Sequence, residues 1–215
     1  LTIKAGRHPV LEKHPDTHFI PNDISMTKSD NQFILLTGPN MAGKSTIMRQ
    51  IALIIIMAQM GCFVPADSCE LSIVDKLFTR IGALDNLYSG QSTFMVEMLE
   101  TSNILNNATS QSMIILDEIG RGTATYDGMS IACAITEHIH TQINARTLFA
   151  THYHELTSLS DKYDSLQNYN MQITESNGSL VFNYKLISGP ADKSYGIHVA
   201  QMAGLPDAVI KNATK

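Results

Sequence analysis

The stretch Gly38-Pro39-Asn40-Met41-Ala42-Gly43-Lys44-Ser45-Thr46 fits G-x-x-x-x-G-K-[ST], a spacing that can cradle phosphate. Glycines at its two ends let backbone N–H groups close on phosphate oxygens. Lys44 is placed to reach the outer phosphates as a point charge, and the Ser45 hydroxyl to ligate Mg²⁺. A second chemical signal is Asp117-Glu118, directly after the apolar run Met113-Ile114-Ile115-Leu116. There Asp117 is expected to hold Mg²⁺, and Glu118 to polarise a water against the γ-phosphate. His152, after Arg146-Thr147-Leu148-Phe149-Ala150-Thr151, is a third candidate, for the γ-phosphate or the attacking water.

These residues need elements to position them. Gln32-Phe33-Ile34-Leu35-Leu36-Thr37 reads as a buried strand, and Lys44 to Met60 as a helix closed by Gly61. The phosphate loop thus joins a strand end to a helix start, where free N–H groups and the helix dipole favour an anion. The runs ending at Asp117 and Thr151 read as further buried strands, delivering their polar residues to the carboxyl edge of an open α/β sheet. Upstream, Phe19, Ile20 or His8 could stack on a base. The alternatives are sheet packing for the apolar pair and a turn for His8-Pro9. Ser92-Thr93 caps an expected helix through Leu105. It is a second helix start suited to phosphate and hints at a site completed by another subunit.

The rest of the chain reads more plainly. Lys76 to Ile81 is an expected strand, Gly82 to Gln91 a loop, and Met129 to Ile143 a helix opened by Thr125-Tyr126-Asp127-Gly128. Tyr169 to Thr174 and Leu180 to Leu186 form an expected hairpin about Asn177-Gly178, with Leu180, Phe182, Tyr184 and Leu186 on one face. Ser194 to Ala203 and Asp207 to Ala213 read as helix, turn, helix, with Pro206 at a helix start. Only Lys211 and Asn212 could reach DNA from the second helix, so packing or a dimer contact is the better reading. His138 and His140 read as surface residues. His152-x-His154 with Glu155 lacks a third ligand cluster for a metal site.

Composition narrows the class. The chain has 215 residues, 44% of them hydrophobic, and a formal net charge of -5 with pI near 5.9. That suits one α/β domain and argues against a main DNA-gripping surface, which would be basic. Cys62, Cys69 and Cys133 form no zinc spacing and read as buried free thiols in a reducing compartment. The most apolar run, Ile51 to Met57, is far short of the ~20 residues of a membrane span. It reads as a helix buried on all sides. No signal peptide opens the chain, so an intracellular protein is expected. The abrupt ends, with no initiator methionine and a closing Lys211 to Lys215 that reads as mid-helix, suggest a piece of something longer.

Together, the phosphate loop, Ser92-Thr93-Phe94-Met95, Asp117-Glu118-Ile119-Gly120-Arg121-Gly122-Thr123 and Phe149-Ala150-Thr151-His152-Tyr153 closely resemble the C-terminal ATPase domain of the MutS family of DNA mismatch repair proteins. The likeness runs from Gly6-Arg7-His8-Pro9 through Ser194-Tyr195-Gly196, and Met41-Ala42 tilts it towards the bacterial branch. Ala124 departs from the family, where serine is common.

The resemblance implies an ABC-type P-loop fold: a mixed sheet flanked by helices, a β-hairpin and a C-terminal helix-turn-helix dimerisation element. It divides the chain into an ATPase domain over 1–190 and a helical dimerisation segment over 191–215. It implies ATP/ADP and Mg²⁺ as cofactors, and ATP bound across a dimer of this chain or with a paralogue. The phosphate loop and Asp117-Glu118 of one subunit would face Ser92 of the other. Asn40 would lie near the phosphates, His152 near the γ-phosphate, and the loop from Gly120 to Asp127 would relay between sites. The family couples ATP to mismatch sensing and sliding-clamp formation and recruits a MutL-type partner. Mismatched DNA is read by upstream domains absent here. The implied location is the bacterial cytoplasm near the nucleoid, or the nucleus in a eukaryote, with no membrane partner.

Two other classes compete. A transporter or chromosome-structure ABC ATPase would carry Leu-Ser-Gly-Gly-Gln, which Tyr88-Ser89-Gly90-Gln91 only echoes. A non-hydrolysing nucleotide-binding module would not need Glu118 beside the Mg²⁺ aspartate. Thr27-Lys28-Ser29-Asp30 matches a guanine-reading motif but precedes the phosphate loop instead of following it.

Overall fold

Apolar runs bounded by loop residues set the strands. In the computed structural model, which describes all residues except 16–17, 83–91, 177–178, 192–194 and 215, the chain runs β1 (Thr2–Gly6), β2 (Asn22–Ser25), β3 (Phe33–Thr37), α1 (Lys44–Gln59), β4 (Ser68–Glu70), β5 (Leu77–Arg80) and α2 (Thr93–Asn107). It continues with β6 (Met113–Asp117), α3 (Thr125–His138), β7 (Arg146–Ala150), β8 (Leu166–Ser176), β9 (Ser179–Ser188), α4 (Gly196–Met202) and α5 (Asp207–Ala213). The main sheet has the order β5-β6-β7-β3-β8-β9, parallel except for β9. A second, small antiparallel sheet, β2-β1-β4, packs into the same core and touches β9 through β2. This is the mixed α/β architecture expected.

Period-2 alternation divides the core in two. Ile34, Leu36, Met113, Ile115, Leu148 and Ala150 join α1 and the small sheet in one cluster. Phe33, Leu35, Ile114, Leu116 and Phe149 join residues of α2 and α3 in the other. Both faces of the central strands are therefore covered, as parallel sheets require. Each buried Ile, Leu, Phe or Met among them stabilises by ~1.5–3 kcal/mol relative to exposure. The carboxyl ends of β3, β6 and β7 meet at one edge, and that edge carries the chemistry.

Several expectations need correction. The helix over Ile51 to Met57 is not buried all round: Ile56 is 44% exposed, because only one face of α1 meets the sheet. The helix does close on Gly61 (φ +77), where Gly61 N–H bonds Ala58 O and Cys62 N–H bonds Met57 O, a left-handed helix stop. Cys62 is exposed, and Cys69 and Cys133 are only partly buried, although all three are free thiols. His140 is no surface residue. Its Nε2 lies 2.9 Å from Ser165 Oγ, its ring packs against Tyr163, and burial lowers its pKa. α3 stops at His138, and Ile139–Ile143 continue as a wider π-helical turn ended by Asn144 at φ +57.

The expected hairpin is longer. β8 starts at Leu166 and pairs in parallel with β3, so the hairpin extends the main sheet. The pairing shifts by two residues between Met171↔Leu186 and Ile173↔Phe182, and this bulge puts Tyr184 at φ +53. The Asn177-Gly178 turn, the loop from residue 83 to Gln91 with its Tyr88-Ser89-Gly90-Gln91 echo, and Ser194 lie outside the described residues. No side chain of α4 or α5 is fully buried, although the two helices contact each other and His198, Val199, Ala200 and Ile210 are half-buried. No described helix is long and apolar enough to cross a membrane.

Candidate functional site

The phosphate loop leaves β3 at Thr37 and enters α1 at Lys44. Its tight path needs left-handed backbone at Gly38 (φ +123) and Gly43 (φ +97), and Met41 shares that region at φ +71. A Cβ on Gly43 would meet Tyr184 Cδ1 at 3.3 Å, so the glycine also lets the ring come close. Gly43 caps α1 with no side-chain bond, leaving first-turn N–H groups for an anion.

Lys44 is 4% exposed, and its Nζ donates to Gly38 O at 2.6 Å and Pro39 O at 2.9 Å. Burial lowers its pKa to about 8, while the Glu118 and Asp117 carboxylates pull it back up. Ser45 Oγ donates to Asp117 Oδ2 at 2.8 Å. The other oxygen, Asp117 Oδ1, is buried with no hydrogen-bond partner, and burial raises this carboxyl. A hydroxyl and an orphaned carboxylate oxygen at one point fit a hard divalent cation with oxygen ligands. Among the described residues no group of three or more His, Cys, Asp or Glu is placed to hold a metal ion.

Glu118 adopts φ +57, and its N–H bonds Ala150 O at the end of β7. Strained backbone of this kind clusters at functional sites. Its Oε1 lies 2.7 Å from His152 Nε2, and its Oε2 accepts from Arg121 Nη1. The same His152 nitrogen is 2.9 Å from Asn40 Oδ1. Two acceptors on one ring nitrogen require that Nε2 carry the proton. The His152 bond first, and the Arg121 charge after it, lower the Glu118 carboxyl to about 2 against the opposing effect of burial.

A cavity of about 390 Å³ opens beside the loop, lined by Pro39, Asn40, Met41, Gly43, Lys44, Ser45 and Thr46 together with Phe19 and Ile20. Leu11, His18, Asn22, Ile47, Gln50, Met171 and Tyr184 complete its wall, and none of these was marked by a motif. The sequence showed Tyr184 only as one position of an alternating face. The bulge in β9 turns it over the loop. Asn22 pins the bulge, donating to Tyr184 O at 2.9 Å and accepting from Leu186 N–H at 2.7 Å.

His8 is not among the lining residues. It is buried, and its Nδ1 accepts from Val10 and Leu11 N–H at 3.3 Å, so the turn reading replaces base stacking. Ser92 caps α2, its Oγ accepting from Met95 N–H at 3.2 Å, and is exposed and outside this cavity. Thr93 lines a second cavity of about 420 Å³ with Arg80, Glu97, Asp117, Glu118 and Arg121. The structure therefore gathers Lys44, Ser45, Asp117, Glu118, Asn40 and His152 at one edge and leaves Ser92 apart from them.

The family profile described as MutS domain V matches residues 34–215. Three similar relatives carry the name DNA mismatch repair protein MutS. The one from Lactobacillus helveticus is 61% identical over 100% of this chain and 25% of its own length. That from Lactobacillus gasseri is 58% identical over 100% of the chain and 25% of its own length. That from Caldanaerobacter subterraneus is 56% identical over 99% of the chain and 24% of its own length. The chain thus spans about a quarter of the length of these relatives.

Proposed function

The chain belongs to the MutS family, by its domain V, and from that premise we propose that it is the ATP-binding, ATP-hydrolysing and dimerising part of a DNA mismatch recognition protein. The observation that carries this reading is the junction of Ser45 and Asp117 at 2.8 Å beside a buried Lys44. It unites phosphate loop and acidic strand end at the edge where α/β sheets bind ligands.

In this reading Lys44 leaves the carbonyls of Gly38 and Pro39 for the outer phosphates of ATP. Ser45 and Asp117 would hold Mg²⁺, which would neutralise phosphate charge. Glu118 orients and polarises the attacking water, while His152 and Asn40 border the γ-phosphate. Phe19, Ile20, Met171 and Tyr184 enclose the base in the apolar part of the cavity. The domain division at 190/191 is supported by the change from sheet to two short helices with no fully buried side chain. Those helices serve the dimer, and Ser92 completes the partner's nucleotide site. Nucleotide state then governs mismatch sensing, clamp formation and a MutL-type partner through the rest of the protein, in the cytoplasm of a bacterium.

Isothermal titration of Mg-ATP into the chain and into Lys44→Ala tests the reading. Loss of binding is expected in the variant, and unchanged affinity would sink the assignment.

A further inference from the structure

The segment after Glu118 is gripped from outside the nucleotide cavity. Glu97, on α2, is only 7% exposed, and its Oε1 accepts from Gly120 N–H at 2.6 Å. Gly120 O accepts from Tyr153 Oη at 2.9 Å, and Tyr153 directly follows His152. Burial first, and the nearby Glu97 charge second, raise the Tyr153 hydroxyl's pKa, so it stays a donor. A Cβ on Gly120 would stand 2.5 Å from Gly128 O, which closes the third side. Two residues on, a Cβ on Gly122 would meet Phe94 Cβ of α2 at 2.9 Å. Between them, Arg121 holds Glu118 Oε2.

A buried carboxylate is costly unless it is paired and hydrogen-bonded. Glu97 meets that cost with the Gly120 N–H and with Arg80, whose Nη2 lies 4.0 Å from Oε2 at the end of β5. One side chain therefore ties β5, α2 and the turn after β6 together. We propose that Glu97 is a positioning residue for the reaction: through the Gly120 peptide it fixes the backbone turn that aims the Glu118 carboxylate at the nucleotide. The water-activating group thereby shares a joint with the helix whose cap is Ser92. This rests on the reading of Glu118 as the group that activates water.

The test compares the chain with Glu97→Ala and Glu97→Gln, measuring Mg-ATP affinity with a fluorescent analogue and steady-state hydrolysis. A hydrogen bond to a charged group contributes ~1.5–3 kcal/mol, so Glu97→Ala is expected to lower kcat on the order of tenfold to a hundredfold. ATP affinity should stay within about twofold, because Lys44 and its cavity are untouched. Glu97→Gln keeps an acceptor for Gly120 N–H and is expected to recover most of kcat. A Glu97→Ala chain at wild-type kcat would overturn the inference. So would a Glu97→Gln chain that folds but recovers nothing, or variants that lose affinity and rate in step. Failure of the underlying reading looks different: the unsubstituted chain and Glu118→Gln would then turn over ATP alike, and the inference falls with it.

Discussion

His152 Nε2 stands 2.7 Å from Glu118 Oε1 and 2.9 Å from Asn40 Oδ1, bridging the ends of β7 and β6 and the phosphate loop. This bond is the largest cause of Glu118's low pKa, about 2. His152→Ala should let the carboxyl rise towards its ordinary ~4.3. A carboxyl lowered by folding adds stability above that ordinary value, and the contribution is lost as pH falls to about 2. The substitution should therefore destabilise the chain at pH 6 more than at pH 2.5. Carboxyl-carbon NMR titration and chemical unfolding at the two pH values check this.

Lys44, with a pKa of about 8, is partly neutral in mildly alkaline solution. A bound triphosphate favours the charged form and raises that pKa. Binding at pH 8 to 9 should therefore take up a proton, and affinity should fall as pH climbs past about 8. Calorimetry in two buffers of different ionisation enthalpy measures the uptake directly.

Asp117→Asn retains an oxygen to accept from Ser45 Oγ but removes the charge of a cation ligand. The fold should persist and nucleotide binding without Mg²⁺ should be kept. The strengthening of binding by Mg²⁺ should disappear, as a Mg²⁺ titration at fixed nucleotide would show.

Gly128→Ala should be among the costlier glycine changes. The added Cβ would lie 2.1 Å from Gly120 O and 2.5 Å from Tyr153 Oη, and the first of these is backbone. Overpacking of this kind destabilises by about 1–3 kcal/mol. Gly61→Ala meets nothing within 4 Å and suffers only its φ of +77, which costs roughly 1 kcal/mol. Urea unfolding of the two variants separates the effects.

What could be read from the sequence was what is local. The phosphate loop, with its strand and helix, spans under thirty residues, and Asp117-Glu118 follows its strand directly. The continuous apolar runs before Thr37, Asp117 and Thr151 therefore mark the sheet edge. Tyr184 and Met171 were not legible, because they reach the cavity only through the parallel pairing of β8 with β3 and the bulge in β9. His8 misled for the opposite reason. A histidine before a proline suits either a base or a turn, and its Nδ1 binds the turn's own N–H groups. Glu97 gave no signal beyond one charge in an amphipathic helix, since its partner is the backbone of Gly120.

Glu118→Gln isolates the water-activating role of Glu118. The amide keeps the size of the side chain but carries no negative charge to polarise the water. Mg-ATP affinity should stay near wild type while single-turnover hydrolysis falls about 100-fold or more, the range for loss of a positioned catalytic side chain. Hydrolysis at the wild-type rate in that variant would contradict the account of this site.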